Sequence, residues 1–183
     1  PPDLIEEFQL GDRLPGAGDY DTPEQFVPAE PPARVWETCL TMNESWAWNP
    51  DDPEYKSSRT LVHTLCEVAG RGGKLLLNIG PRGDGSLAPE QAERLDAIAA
   101  WMDAHGESIL DTDAGLAPWQ FYGPSTRRGG RIFLHLLARP YETVTVRGLP
   151  IRRVRRASVL RTGSPLAFTT RCPIVDELFN QIG

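Results

Sequence analysis

Glu24, in DYDTPEQF, and Glu37, in VWETC, are the carboxylates whose surroundings suit them to chemistry, because Trp36, Trp46 and Trp48 lie near them in the sequence. A sugar ring presents apolar C–H faces bordered by hydroxyls. Tryptophan can cover the faces, while carboxylate, arginine and asparagine side chains bind the hydroxyls. Cleavage of a glycosidic bond uses one carboxylic acid kept protonated and a second carboxylate. The residues admit that chemistry without proving the pair.

The glycine-rich stretch GGKLLLNIGPRGDGSLAPE, at 72–90, excludes several alternatives. It lacks the GxxxxGK pattern followed by Ser or Thr of a phosphate loop. Gly80, Gly83 and Gly85 have the wrong spacing for a dinucleotide turn, and Pro81 removes a backbone donor. Asp84 alone supplies an acid there, too few for a calcium loop. Arg82-Gly83-Asp84 spells an adhesion tripeptide, a three-letter coincidence. What remains is a tight turn after a strand, with Asn78 at the strand's carboxyl end, where a barrel keeps its functional face. No Ser-His-Asp pattern stands out: His63 sits in a helix pattern without an obvious partner, His105 reads as a surface or helix-terminus residue, and His135 as a structural histidine. No metal cluster is expected.

The elements that must position these residues follow from periodicity. Residues 1–32 hold seven prolines and read as a long irregular segment. Residues 33–41, ARVWETCLT, alternate as a strand, which sets Glu37 within an otherwise buried element, where a carboxylate is costly and its pKa would rise. A polar, aromatic loop follows. Ser57 or Ser58 caps a helix with Leu61, Leu65 and Val68 on one face, stopped by Gly70, Gly72 and Gly73. KLLLNIG is a strand apolar enough to be buried on both faces of a parallel sheet. The strongest helix spans 88–109, with Pro89 in its first turn and Leu95, Ile98, Ala99, Met102 and Ile109 as its stripe. This βα alternation breaks near 111–118. Beyond it, 119–122, 131–137, 143–147, 153–160 and 166–169 are candidate strands of an antiparallel sheet. The expected division is an α/β part at 1–112 and a β part at 113–183.

The 183 residues carry a net charge of -6, with 40% apolar residues sufficient for a core. Residues 1–112 hold 21 acids against 8 Lys and Arg, and 113–183 hold 4 acids against 11 Arg. The arginines fall in strand-like sequence, which suggests a solvated sheet face or a contact with the acidic half. An acidic first half argues against a nucleic-acid partner, and no run is long enough for a membrane span. Cys39, Cys66 and Cys172 form no CxxC pair and read as buried thiols. Asn43-Glu44-Ser45 is a formal glycosylation sequon. The sequence begins Pro1-Pro2 and both ends read as internal to a longer protein. The compartment is left open.

WETCLTMNESWAWN followed by YKSSRTLVHTLCEVAGRGGKLLLNIGPRGDGSLAPEQAERLDAIAAWMDAHGESI resembles the latter part of an alpha-L-fucosidase of glycoside hydrolase family 29, over about residues 11–109 and more loosely beyond. The resemblance implies a partial (β/α) TIM-like barrel followed by an antiparallel β-sandwich. It implies a retaining exo-glycosidase that releases terminal alpha-L-fucose through a covalent fucosyl-enzyme, with no cofactor or metal. An aspartate in a Trp-Asn-Asp-like stretch is the family's nucleophile. No such stretch precedes Gly11, so the nucleophile is expected outside this sequence and the chain alone is expected to be inactive. Thr22-Pro23-Glu24, after Asp12-Arg13, matches the bacterial acid/base motif. The acid/base role passes to Glu24, with Glu37 as the second candidate, and substrate binding to Arg13. Gln25 departs from the aromatic residue common after that glutamate. Trp46, Trp48 and Asn78 are expected at the pocket wall. The implied partners are a fucosylated oligosaccharide or glycoconjugate and, because a half-barrel exposes strand edges, the N-terminal half of the barrel or another copy. A noncatalytic carbohydrate-binding or structural fragment is the alternative, and an altered sugar preference is a third.

Overall fold

The computed structural model describes residues 7–8 and 18–171. Four parallel strands run side by side in chain order. β1 (Glu7–Phe8) pairs with β2 (Tyr20–Asp21), and β3 (Glu37–Thr41) pairs with β4 (Lys74–Asn78) in register from Glu37↔Lys74 to Thr41↔Asn78. Parallel bridges Asp21↔Trp36 and Glu24↔Cys39 join the two pairs. The expected irregular segment at 1–32 thus contains two short strands. β2 is bonded to a later segment, Asp21 N to Val35 O at 3.0 Å, and so needs no local periodicity.

β3 and β4 are linked by α1 (Ser58–Gly70), a βαβ unit. Ser57 caps the helix as expected, its hydroxyl accepting from Thr60 N at 3.0 Å. Leu61, Cys66, Val68 and Ala69 are buried. Between α1 and the sheet lies a cavity of about 190 Å³, lined by Leu40, Leu61, Leu75 and Leu77 among others. Leu40, Leu75 and Leu77 therefore face the helix. By the two-residue alternation of strands, Glu37, Cys39, Thr41, Lys74, Leu76 and Asn78 occupy the opposite face.

KLLLN was expected to be buried on both faces, but Leu76 is 50% exposed. Leu76 stands on the face of β4 turned away from α1, and β4 has β3 as its one strand neighbour among the described residues. α2 (Pro89–His105) starts at Pro89 as expected, but ends sooner than 109, in a 3₁₀ turn, Gly106–Ser108. Its apolar stripe is at most half-buried, with Ala99 exposed, and its one buried side chain is Gln91.

Antiparallel structure follows: β5 (Asp113–Ala114), β6 (Ser125–Arg128) and β7 (Arg131–Leu134) form one sheet. The candidate strand at 119–122 is instead part of a turn, with Gln120 N donating to Ala117 O at 2.8 Å, and 143–147 is not a strand. The candidate at 131–137 shortens to β7. Separately, β8 (Ala157–Ser158) pairs with β9 (Pro165–Leu166), shorter than the expected 153–160 and 166–169. The chain is an α/β protein: an incomplete (β/α) barrel followed by antiparallel sheets of β-sandwich type. Its compact units are Pro1–Thr145 and Val146–Gly183. β5, β6 and β7 thus pack within the first unit, although the change from parallel to antiparallel strands falls near residue 112.

His135 is buried among the antiparallel strands, 3.3 Å from the Thr126 hydroxyl, which itself donates to Ser108 O. Burial, then the nearby His105, push its pKa down from 6.5 to about 4, against a smaller upward effect of the Ser108 backbone. The folded protein holds this imidazole neutral. Its stability is full above pH 6.5 and falls between pH 6.5 and 4, as the unfolded chain takes up the proton first. The depression corresponds to about 3 kcal/mol by pH 4. Urea denaturation at pH 7 and pH 4 is expected to show a smaller loss for His135→Gln than for the unaltered chain. Equal losses would exclude His135 as the source.

Cys66 is buried, and desolvation pushes its thiol up to about 12, so it is inert rather than nucleophilic. Cys39 and Cys66 are both unbridged. Cys172 lies outside the described residues.

Candidate active site

The residues that could do chemistry gather where β2, β3 and β4 end. The parallel bridge Glu24↔Cys39 and the register Cys39↔Leu76 put Glu24, Cys39 and Leu76 in one row across the sheet, on the face turned away from α1. Thr41 and Asn78 form the next row toward the carboxyl ends. Glu37 and Lys74 form the row below. At about 3.3 Å per residue, Glu37 sits about 7 Å deeper than Glu24. Glu24 is exposed and Glu37 half-buried. Arg13 lies outside the described residues.

Glu24 stands at a sharp reversal. Cys39 grips the backbone on both sides of it, donating to Pro23 O and accepting from Gln25 N at 2.9 Å. Gln25 then turns with φ 65°, in the left-handed region. One residue on, Phe26 O accepts from the Thr38 hydroxyl at 2.7 Å, so the chain has already turned back down the sheet.

Two loops form the rim. The loop after β3 is closed by Asp52, whose carboxylate accepts from Glu44 N at 3.1 Å and from the Ser45 hydroxyl at 2.8 Å. Asn43 is 4% exposed, with its amide donating to Asp52 O. The sequon asparagine is therefore inaccessible in the folded chain. Lys56 fastens the base of this loop, its ammonium donating to Thr41 O and Asn43 O, each at 2.9 Å.

The loop after β4 locks onto the first. Asn78 Nδ2 donates to Trp46 O at 2.7 Å. A Cβ on Gly80 would stand 2.6 Å from Trp48 N, so only glycine permits this approach. Gln91, 3% exposed in the first turn of α2, holds the Gly80 residue by both ends: Gly80 N donates to Oε1 at 3.2 Å, and Nε2 donates to Gly80 O at 3.0 Å. The Arg82 guanidinium lies 5.7 Å from the centroid of the Trp48 ring. Trp46 and Trp48 remain partly exposed. Asp84 accepts from Ser86 N and the Ser86 hydroxyl, which hold its carboxyl below the usual range and tie the turn.

The structure thus ties Asn78 to Trp46 after β4, sets Glu24 level with Cys39, and sets Glu37 deeper. The sequence offered no reason to single out Asp52, and none to give Gln25, Arg82 or Gln91 the contacts they make here. The cavity beneath α1 is lined in part by Gln25 and Lys56. Among the described residues, no group of three or more His, Cys, Asp or Glu gathers to hold a metal ion, and no helix is long and apolar enough to cross a membrane.

Parallel strands joined by a βα crossover and followed by antiparallel sheets are the architecture of a partial (β/α) barrel with an appended β part. The alpha-L-fucosidase family model matches residues 5–107, and the chain belongs to that family, glycoside hydrolase family 29. It is 30% identical over 176 residues to the plasma alpha-L-fucosidase of Rattus norvegicus, covering 88% of this chain and 38% of the rat protein. Alpha-L-fucosidase isoenzyme 1 from Paenibacillus thiaminolyticus superposes with a TM-score of 0.79 at 31% identity, over 87% of this chain and 39% of that one. A fucosidase of the same family from Bacteroides thetaiotaomicron, trapped as a covalent intermediate with 2-fluoro-fucosyl fluoride in a glutamate-to-glutamine mutant, gives a TM-score of 0.70 at 25% identity, over 84% of this chain and 38% of that one. The chain therefore spans under two fifths of the length of each of these three.

Proposed function

We propose that this chain supplies the acid/base half of a retaining alpha-L-fucosidase. Glu24 protonates the oxygen of the leaving group as the bond to fucose breaks, and then removes a proton from the water that releases fucose from the covalent intermediate. The observation that carries this reading is the position of Glu24, whose flanking backbone is bonded on both sides to Cys39 near the carboxyl ends of the strands. Glu37 is the weaker choice because it sits deeper than the end of the sheet at which barrels bind substrate. Trp46 and Trp48 cover the apolar face of the sugar, Asn78 holds the rim, and Arg13 binds substrate from the segment preceding Glu24. The substrate is a fucosylated oligosaccharide or glycoconjugate.

A retaining mechanism sets the nucleophile about 5–5.5 Å from the acid/base. The family's nucleophilic stretch has no counterpart before Gly11, so the aspartate comes from the other part of the barrel. That part, or a second copy, also covers Leu76 and the open strand edge. The isolated 183-residue chain is expected to release no aryl alcohol from an aryl alpha-L-fucoside above a Glu24→Ala control. Turnover above that control would place a nucleophile within these residues and overturn this division of labour.

A further inference from the structure

We infer that Gln25 is a positioning residue for Glu24, setting the carboxyl's orientation through its backbone conformation and a side-chain tie to β3. This rests on the proposed role of Glu24. Among the described residues, Gln25 and Asp111 alone combine a side chain with a positive φ. A left-handed backbone is disfavoured for any residue with a Cβ and persists where its surroundings impose it. Those surroundings are named here. Gln25 N donates to Cys39 O at 2.9 Å. The side-chain amide reaches the end of β3, Nε2 donating to the Thr41 hydroxyl at 3.0 Å and Oε1 accepting from Thr41 N at 3.4 Å.

Thr41 is a rigid anchor. It is fully buried, its hydroxyl also contacts Asn43 O, and its carbonyl accepts from the Lys56 ammonium. The chain direction reverses at Gln25, between the bond to Cys39 and the bond from Thr38 to Phe26 O. Glu24 is thereby held at the apex of the reversal. Without the amide tie, the backbone bond to Cys39 still keeps Glu24 at the strand end, but the torsions that aim its carboxyl gain freedom. The cost falls on proton transfer to the leaving group, which is sensitive to small misplacements, rather than on binding.

The test uses the catalytically complete enzyme containing this chain. Gln25→Gly keeps access to the left-handed backbone and removes the amide. Thr41→Val removes the hydroxyl partner at near-constant volume. Each is measured with two alpha-L-fucosides, a dinitrophenyl glycoside whose leaving group needs no protonation and a disaccharide whose leaving group does. For both variants, kcat/KM for the disaccharide is expected to fall at least about tenfold and for the dinitrophenyl glycoside less than about twofold, with the double variant no worse than either single one. Equal losses on both substrates, or none, would overturn the inference and make Gln25 a structural residue only. Glu24→Gln runs alongside. If it shows the leaving-group dependence and Gln25→Gly does not, the inference fails and the acid/base assignment stands. If Glu24→Gln lacks that dependence, the assignment itself fails.

Discussion

Replacement of Glu24 by glutamine is expected to lower kcat/KM of the complete enzyme for substrates with poor leaving groups by about 10²–10⁴-fold, the usual contribution of general acid–base catalysis. Glutamine keeps the size of the side chain but cannot protonate a departing oxygen or accept a proton from water. The backbone bonds between residues 23–25 and Cys39 involve no atom of the Glu24 side chain, so the fold should survive the change. With a dinitrophenyl fucoside the first step should proceed nearly unimpaired and the second step stall, so that kcat falls while kcat/KM holds. Glu37→Gln is the paired control. It alters a carboxylate about 7 Å deeper on the same face, and its effect should be independent of the leaving group. Reversal of the two patterns would move the acid/base role to Glu37.

The largest effect on stability is expected at Trp36, whose truncation to alanine should destabilise the chain by about 3–5 kcal/mol in urea denaturation, the range for large buried aromatics. Trp36 is 2% exposed, and its indole lies directly over Gly73, where a Cβ would stand 2.3 Å from the ring. Glycine leaves the space the ring fills. Neighbouring side chains cannot refill that space without moving the turn that leads into β4, because Lys74 N donates to Trp36 O at 3.0 Å. The parallel bridge to Asp21 joins β2 at the same point. A loss below about 1 kcal/mol would mean that this seam collapses freely.

What was legible in the sequence was what local chemistry specifies. Ser57 before an amphipathic run gave a capped helix, Pro89 marked the first turn of another, and WETC and KLLLN gave two strands of a βα alternation, the second read as part of a parallel sheet because it is apolar throughout. β2 was not legible, because it is bonded to Val35, in a later segment, and a strand defined by a distant partner needs no pattern of its own. β6 was hidden by its composition: Ser125 and Thr126 look like turn residues, yet both are buried, with Leu116 N donating to the Ser125 hydroxyl and Thr126 donating to Ser108 O. At the candidate site, the aromatic and acidic residues stood out by type. The residues that hold them did not. Gln91 reads as an ordinary polar residue in a first helical turn, and only the approach of Gly80 reveals its bidentate role. The left-handed turn at Gln25 carries no glycine to announce it.

The most direct test of the central claim is peptide mapping of the Glu24→Gln enzyme, in its catalytically complete form, after reaction with 2-fluoro-fucosyl fluoride. The acid/base assignment requires a covalent 2-fluoro-fucosyl adduct that accumulates because its hydrolysis has lost its base. The adduct should sit on an aspartate outside residues 1–183 and be discharged by azide, which needs no base. An adduct on Glu37 or any other residue of this chain, or hydrolysis as fast as in the unaltered enzyme, would contradict the account.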